Sequence, residues 1–253
     1  MLEAVIFDLD GTLVDSERDG HRVAFNRAFE DFGLADRWDP EYYGELLQTT
    51  GGLRRIDQHL AASGMPEAER HELVPRLHAR KIEVFREMAA SGLIQARPGL
   101  RRFLDDLAGD GLRLAVATTG TKDAVVPLIR GLFGDSLFEA VITRDEAPLL
   151  KPDPMAYVIA QNALGIAPDE GVAIEDSRNG VLAAASAGLR CIVVVNDYTR
   201  DHDLGGADLV VDSFGSADVP ARVLADPHGV GPAAELDHSL LRRLAARERA
   251  AAV

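Results

Sequence analysis

The chain has 253 residues, 47% of them apolar and 27% charged, with 27 basic against 41 acidic side chains for a net charge of −14. That length suits one large domain or a core with a smaller insert, and the acidic balance gives no footprint for nucleic acid or an anionic membrane surface. The single cysteine excludes an internal disulfide and fits a reducing, cytoplasmic setting; no apolar stretch approaches the ~20 residues of a membrane span and no basic-then-apolar leader is seen, so a soluble protein is expected.

The first predicted element is a short apolar run, Ala4-Val5-Ile6-Phe7, that ends in Asp8-Leu9-Asp10-Gly11-Thr12. A continuous apolar run of this length reads as a strand of a parallel sheet buried on both faces. Two acids belong at its end only where the chain leaves the sheet, at the carboxyl edge where open α/β sheets bind ligands. Taken alone, Asp8 and Asp10 would also pass as solvated turn formers.

From about Ser16 to Ser91 the pattern turns helical. Val23 to Phe32 predict a helix that stops at Gly33, Leu53, Ile56 and Leu60 a second, and Leu73 to Phe85 one or two more. The expected boundaries are a core of residues 1–15 and 93–253, with a helical unit, 16–92, inserted after the first strand. Beyond Arg97-Pro98-Gly99, Leu100, Phe103, Leu104 and Leu107 mark one face of a helix. Strand runs at Leu112–Ala117, Ala140–Thr143, Val172–Ile174, Cys191–Val195 and Leu209–Val211 then alternate with helices at Ala124–Leu132, after Pro152 and at Gly180–Gly188. Such alternation predicts right-handed βαβ units and an α/β fold, a mostly parallel sheet covered on both sides. His238–Arg249, with Leu240, Leu241 and Leu244 among arginines, reads as a helix packed on the sheet edge, a frayed tail or a partner-binding helix.

Chemistry-bearing residues follow the strands. The first delivers Asp8 and Asp10, the second Thr118, the loop after the third Lys151, and the fourth Glu175 and Asp176. Singly, Thr118 could be a helix cap, Lys151 a surface lysine and Glu175-Asp176-Ser177 a helix start. Parallel strands aim their carboxyl ends at one edge, so together these groups make a site for Mg²⁺ and a phosphoryl group. Asp8, the main-chain carbonyl of Asp10, and Asp176 or Glu175 offer the oxygen ligands Mg²⁺ prefers. Lys151 would offset phosphate charge, and Thr118 with the amides of Thr119 and Gly120 would bind phosphate oxygens at a helix start. One carboxylate can attack phosphorus and a second can protonate the leaving oxygen and later activate water. A P-loop motif is missing.

Asp8-x-Asp10-Gly11-Thr12, Thr118, Lys151-Pro152 and Glu175-Asp176 resemble, in order and spacing, the four motifs of the haloacid dehalogenase (HAD) superfamily of phosphotransferases. The resemblance implies a Rossmann-like core with a helical cap of the C1 type. It implies Asp8 as nucleophile, Asp10 as general acid and base, Mg²⁺ held by Asp8, Asp10 and Asp176 with Glu175 in support, and phosphate bound near Gly11, Thr118, Thr119, Gly120 and Lys151. Dehalogenases of the superfamily lack the second aspartate, so Asp10 points to phosphoryl transfer.

Substrate choice is expected in the cap. Thr49-Thr50-Gly51-Gly52, followed by Arg54 and Arg55, could grip a second phosphate or a sugar, with Lys81 joining and Glu17 and His21 meeting a sugar hydroxyl; Arg54, Arg55, Lys81 and His21 could instead be solvated helix residues. The Thr-Thr-Gly-Gly segment, Glu17 and the Trp38–Tyr42–Tyr43 neighbourhood resemble CbbY-type sugar phosphatases, a group that includes phosphatases of xylulose-1,5-bisphosphate. The segment Ser16–His21 holds one residue more before its histidine than the family pattern, which shifts the helix phase at His21. The expected activity is release of phosphate from a small phosphorylated sugar by a monomer or weak homo-oligomer. The related beta-phosphoglucomutase group is the alternative, and a non-catalytic sugar-phosphate binder on the same fold is a third, against which the intact Asp8, Asp10, Lys151 and Asp176 stand.

Overall fold

A computed structural model describes residues 1–49, 51–232 and 234–247. The chain divides into two compact units, Met1–Val14 with Ala96–Val253, and Asp15–Gln95. Thr50 and the last residues of the predicted C-terminal helix, Glu248 and Arg249, lie outside the described residues.

The unit Asp15–Gln95 is helical. A π-helical turn, Glu17–His21, runs directly into α1 (Arg22–Asp31), and the Arg22 N–H reaches the Glu17 carbonyl five residues back. A π turn takes up one residue more than an α turn, which shifts the helix phase at His21. α2 (Pro40–Leu46) begins with Asp39 accepting the Tyr42 N–H at 2.8 Å and with proline in its first turn. α3 (Gly52–Ala62) follows the Gly51-Gly52 pair. The last helix, α4 (Glu67–Ala90), is a single 24-residue element that carries Pro75 inside it. Phe25 and Phe29 of α1 pack with Trp38 and Tyr43 in a ring cluster whose members are fully buried, with Phe25 and Trp38 centroids 4.7 Å apart.

The other unit holds a seven-stranded sheet: β1 (Ala4–Phe7), β2 (Arg113–Ala117), β3 (Ala140–Ile142), β4 (Gly171–Glu175), β5 (Arg190–Val194), β6 (Leu209–Val211) and β7 (Val223–Ala225), in the order 3-2-1-4-5-6-7. All pairings are parallel except β6 with β7. β1, β4 and β5 are buried along their whole length, as their unbroken apolar runs require of strands covered on both faces. β7 was not visible in the sequence; its three residues are exposed at the antiparallel edge, so no apolar pattern marks it.

α5 (Leu100–Gly109) buries Leu100, Phe103, Leu104 and Leu107, the face set by their spacing. α6 (Lys122–Phe133), α7 (Met155–Leu164) and α8 (Arg178–Ser186) are the crossovers. α9 (His238–Ala245) buries Leu240, Leu241 and Leu244 completely and is tied to α5 by His238 Nδ1 to Asp106 at 2.9 Å and Arg242 Nε to Asp110 at 2.6 Å. Its leucines are thus core, and a packed helix is the arrangement found. Among the described residues no helix is long and apolar enough to cross a membrane.

Register fixes what converges at the carboxyl edge. Phe7 lies level with Val116 of β2 and Ile174 of β4, so the next residues of the three strands emerge together. The Asp8 N–H donates to the Ile174 carbonyl at 2.9 Å, and the Thr118 N–H to the Ile142 carbonyl at 2.9 Å. Each of these strands therefore stays paired up to the residue predicted to carry the chemistry.

Candidate active site

Lys151 sits at the centre of the edge, buried among carboxylates. Its Nζ donates to Asp8 Oδ1 and to Glu175 Oε1, both at 2.6 Å, and lies 4.8 Å from the centre of the Tyr157 ring. Burial alone would drive its proton off, but Asp8 and Glu175 outweigh that and hold the ammonium charged well above its ordinary range. Tyr157, on the α7 helix that Lys151-Pro152 precedes, donates its hydroxyl to the same Glu175 oxygen at 2.6 Å.

Glu175 is saturated. Oε1 takes Lys151 and Tyr157, while Oε2 faces the Asp176 N–H at 3.1 Å and the Ser177 hydroxyl at 3.4 Å. A side chain at Gly180 would start 1.8 Å from this carboxyl group, so the first turn of α8 closes over Glu175 only because position 180 is glycine. Glu175 thereby sits as a support for Lys151 and the Asp176 main chain.

Asp8 and Asp176 face each other differently. Asp8 gives Oδ1 to Lys151, but its Oδ2 is buried with no hydrogen-bond partner. Asp176 Oδ2 accepts from Asn196 Nδ2 at 2.7 Å. Burial pushes both carboxyls above their ordinary range; Lys151 opposes that at Asp8, while the charges of Asp8 and Glu175 add to it at Asp176. One carboxylate oxygen each from Asp8, Glu175 and Asp176 lies within 4.8 Å of the others. A buried carboxylate oxygen without a partner, beside a second carboxylate resisting ionisation, is the surrounding a small oxygen-seeking dication satisfies. The residues present fit a metal ion.

The remaining predicted positions border this cluster. Asp10 is half-buried, and a methyl group placed on Gly120 would lie 3.9 Å from its Oδ2 and 3.5 Å from Thr118 Oγ1, which puts the second aspartate on the Thr118 side of the site. Thr118 is buried and its Oγ1 accepts the Gly120 N–H at 3.1 Å, so that amide is spent within the turn; Thr119 lies between them, half-buried. Gly11 has φ +92° and commits its N–H to the Val14 carbonyl at 2.8 Å; any side chain there would begin 2.3 Å from Asp176 Oδ2.

Three participants were not singled out by sequence. Tyr157 is masked by the helical spacing that makes it look like core. Arg97 donates to the carbonyls of Gly11, Val194 and Val195, each at 2.7 Å. Asn196 stands just past β5, and the strand-end rule that found the other groups would have found it as well.

Within Asp15–Gln95 a second cluster forms. Tyr43 donates its hydroxyl to Glu17 Oε2 at 2.5 Å and receives Arg55 Nη1 at 3.2 Å, and Arg55 Nε reaches the Thr49 carbonyl at 2.9 Å. Lys81 is buried, with Nζ 2.8 Å from His21 Nδ1 and about 5 Å from the ring centres of Phe25 and Phe85. An ammonium can only donate, so this contact sets His21 as acceptor at Nδ1. His21 stacks on Phe85 at 4.0 Å. Gly51 and Gly52 open α3, and Arg54 is exposed on it. The predicted cap residues thus separate into a Glu17–Tyr43–Arg55 group, a Lys81–His21 pair and the exposed Arg54.

Residues 2–188 match the haloacid dehalogenase-like hydrolase family model. The chain belongs to the haloacid dehalogenase-like hydrolases. It is 41% identical over 222 residues to Protein CbbY of Cereibacter sphaeroides, covering 85% of this chain and 93% of that one. It is 39% identical over 220 residues to a CBBY-like protein of Arabidopsis thaliana, covering 84% and 69% respectively. Among solved structures it resembles a mutant CbbY from Rhodobacter sphaeroides in complex with xylulose-(1,5)-bisphosphate, with TM-score 0.74 and 39% identity over 84% of this chain and 95% of that one. This hydrolase of the HAD family is a phosphatase, a phosphoric monoester hydrolase.

Proposed function

We propose that this phosphatase is Mg²⁺-dependent and acts on a small phosphorylated sugar, a ketose bisphosphate of the xylulose-1,5-bisphosphate type, through an aspartyl-phosphate at Asp8. The observation that carries the chemistry is the division of labour at Asp8: Lys151 holds Oδ1, and Oδ2 is buried with no partner of its own. The substrate class rests on the likeness to CbbY in complex with the bisphosphate.

In the proposed reaction an Asp8 oxygen attacks phosphorus as the bond from phosphorus to the sugar oxygen breaks. Asp10, on the Thr118 side, gives its proton to that leaving oxygen. Asp10 then takes a proton from water as the water oxygen attacks the phosphoryl group, which frees Asp8 and releases phosphate. Lys151 and the Thr118 hydroxyl, still able to donate, offset charge on the phosphoryl oxygens. Asp8, Asp176 and the Asp10 main-chain carbonyl would hold Mg²⁺, which when bound supplies positive charge opposite the phosphoryl oxygens and lets the clustered carboxylates ionise. Glu175, already saturated, keeps Lys151 charged and in place. Choice of sugar we assign to the Lys81–His21 pair, to Arg55 with Glu17, and to Arg54.

The test is the initial rate of phosphate release across ketose and aldose phosphates, with Mg²⁺ and with chelator. Fast, chelator-sensitive release from xylulose-1,5-bisphosphate is expected. Conversion of beta-glucose-1-phosphate to its 6-phosphate isomer, with little phosphate released from any substrate, would identify a phosphomutase and refute hydrolysis as the reaction.

A further inference from the structure

The two oxygens of Asp176 are not equivalent, and the turn after β5 decides which is which. Asn196 is buried, and its Nδ2 points to Asp176 Oδ2 at 2.7 Å, with the Gly11 carbonyl 3.5 Å from the same nitrogen. Its amide oxygen accepts the Tyr198 N–H at 2.9 Å. Its main-chain N–H donates to Thr199 Oγ1 at 3.1 Å, and its carbonyl accepts the N–H groups of Thr199 and Arg200. These bonds fix the sense of the amide, because turning it over would set an oxygen against Asp176 and an NH₂ against a backbone donor. Arg97 clamps the main chain on both sides, at Val194 and Val195 just before Asn196 and at Gly11 beside Asp176.

The amide is locked in one sense, and its acceptor belongs to the acidic cluster. It occupies one Asp176 oxygen, restrains rotation of the carboxylate, and leaves the second oxygen for a ligand. We propose that Asn196 is a positioning residue for the divalent cation, acting through Asp176 and backed by the Arg97 clamp. This inference rests on the Mg²⁺ reading of the cluster. Outer partners of this kind typically change metal affinity 10–100-fold when removed.

The experiment is calorimetric titration of Mg²⁺ into the chelator-stripped full chain, comparing wild type with Asn196→Leu, which keeps the bulk and loses the donor. Asn196→Ala serves as the second variant, and Leu240→Ala, a cavity under α9 away from the edge, controls for stability. Melting temperature in chelator reports folding independently. Expected is a rise of about 10–100-fold in the Mg²⁺ dissociation constant for both Asn196 variants. KM for the sugar phosphate at saturating Mg²⁺ should stay near wild type, and Leu240→Ala should bind Mg²⁺ within twofold of wild type. A folded Asn196 variant that binds Mg²⁺ within twofold of wild type would overturn the inference, as would equal weakening in Leu240→Ala. Failure of the wild type to bind Mg²⁺ would remove the metal reading itself, and the inference with it.

Discussion

Lys151→Met tests the electrostatics of the site without touching its shape. Methionine keeps a stem of similar length against the Tyr157 ring and deletes the ammonium that bonds both Asp8 and Glu175 at 2.6 Å. Removing one partner of a buried ion pair costs about 3–5 kcal/mol, because the surviving charge has neither water nor a counter-ion. For a domain of this size each kcal/mol is worth roughly 2–4 °C, so the metal-free variant should melt about 6–20 °C below wild type at pH 8. The sign of the pH dependence follows from Asp8 and Asp176, whose carboxyls burial already raises in the folded state. A group with a raised folded pKa favours the fold most when protonated and loses that advantage as pH rises through the folded value. Without Lys151 these pKa values climb further, so the deficit should shrink as pH falls from 8 to 5.5. Thermal unfolding followed by circular dichroism in chelator at the two pH values measures this. A variant within about 2 °C of wild type at pH 8, or a deficit of equal size at both pH values, refutes the account of a charge-compensated cluster.

Asp8→Asn keeps the shape of the side chain and removes the proposed nucleophile, so phosphate release should fall below about a thousandth of the wild-type rate with an intact fold; a higher residual rate argues against Asp8. Arg54→Ala and Lys81→Ala should slow turnover of bisphosphates more than monophosphates, and equal losses on both would dispose of the second-phosphate role. The two differ in stability: exposed Arg54 should leave the melting temperature unchanged, whereas loss of Lys81 strips His21 and the Phe25 and Phe85 rings of a buried partner.

The cluster of Asp8, Lys151, Glu175 and Asp176 at the carboxyl edge was legible because a parallel sheet turns sequence order into spatial order. An apolar run buried on both faces cannot carry Asp8, Thr118 or Glu175 in its middle, so their position at the run's end fixes where they stand. What the pattern cannot carry is mutual arrangement. Glu175 and Asp176 are adjacent and acidic, yet one is spent on Lys151, Tyr157 and the main chain while the other keeps an oxygen free of Asn196, a distinction made by Tyr157, Ser177 and Asn196. α2 went unread although Asp39-Pro40 is a helix start, since seven residues with two tyrosines give little periodicity. The π turn at Glu17–His21 was not legible, because nothing in Glu17-Arg18-Asp19-Gly20-His21 marks a bond five residues back.

The pairing of β1 has a consequence for how the chain is made. Ala4 is hydrogen-bonded in register with Arg113 on one side and Gly171 on the other. At roughly 5–20 residues per second of synthesis, the strand that ends in Asp8 waits on the order of ten seconds for its neighbours to leave the ribosome. The helices of Asp15–Gln95 find their partners locally and emerge in the interval. The inserted unit is therefore placed to fold first, while the apolar run at the heart of the sheet stays unpaired, the stretch a nascent-chain chaperone would have reason to hold.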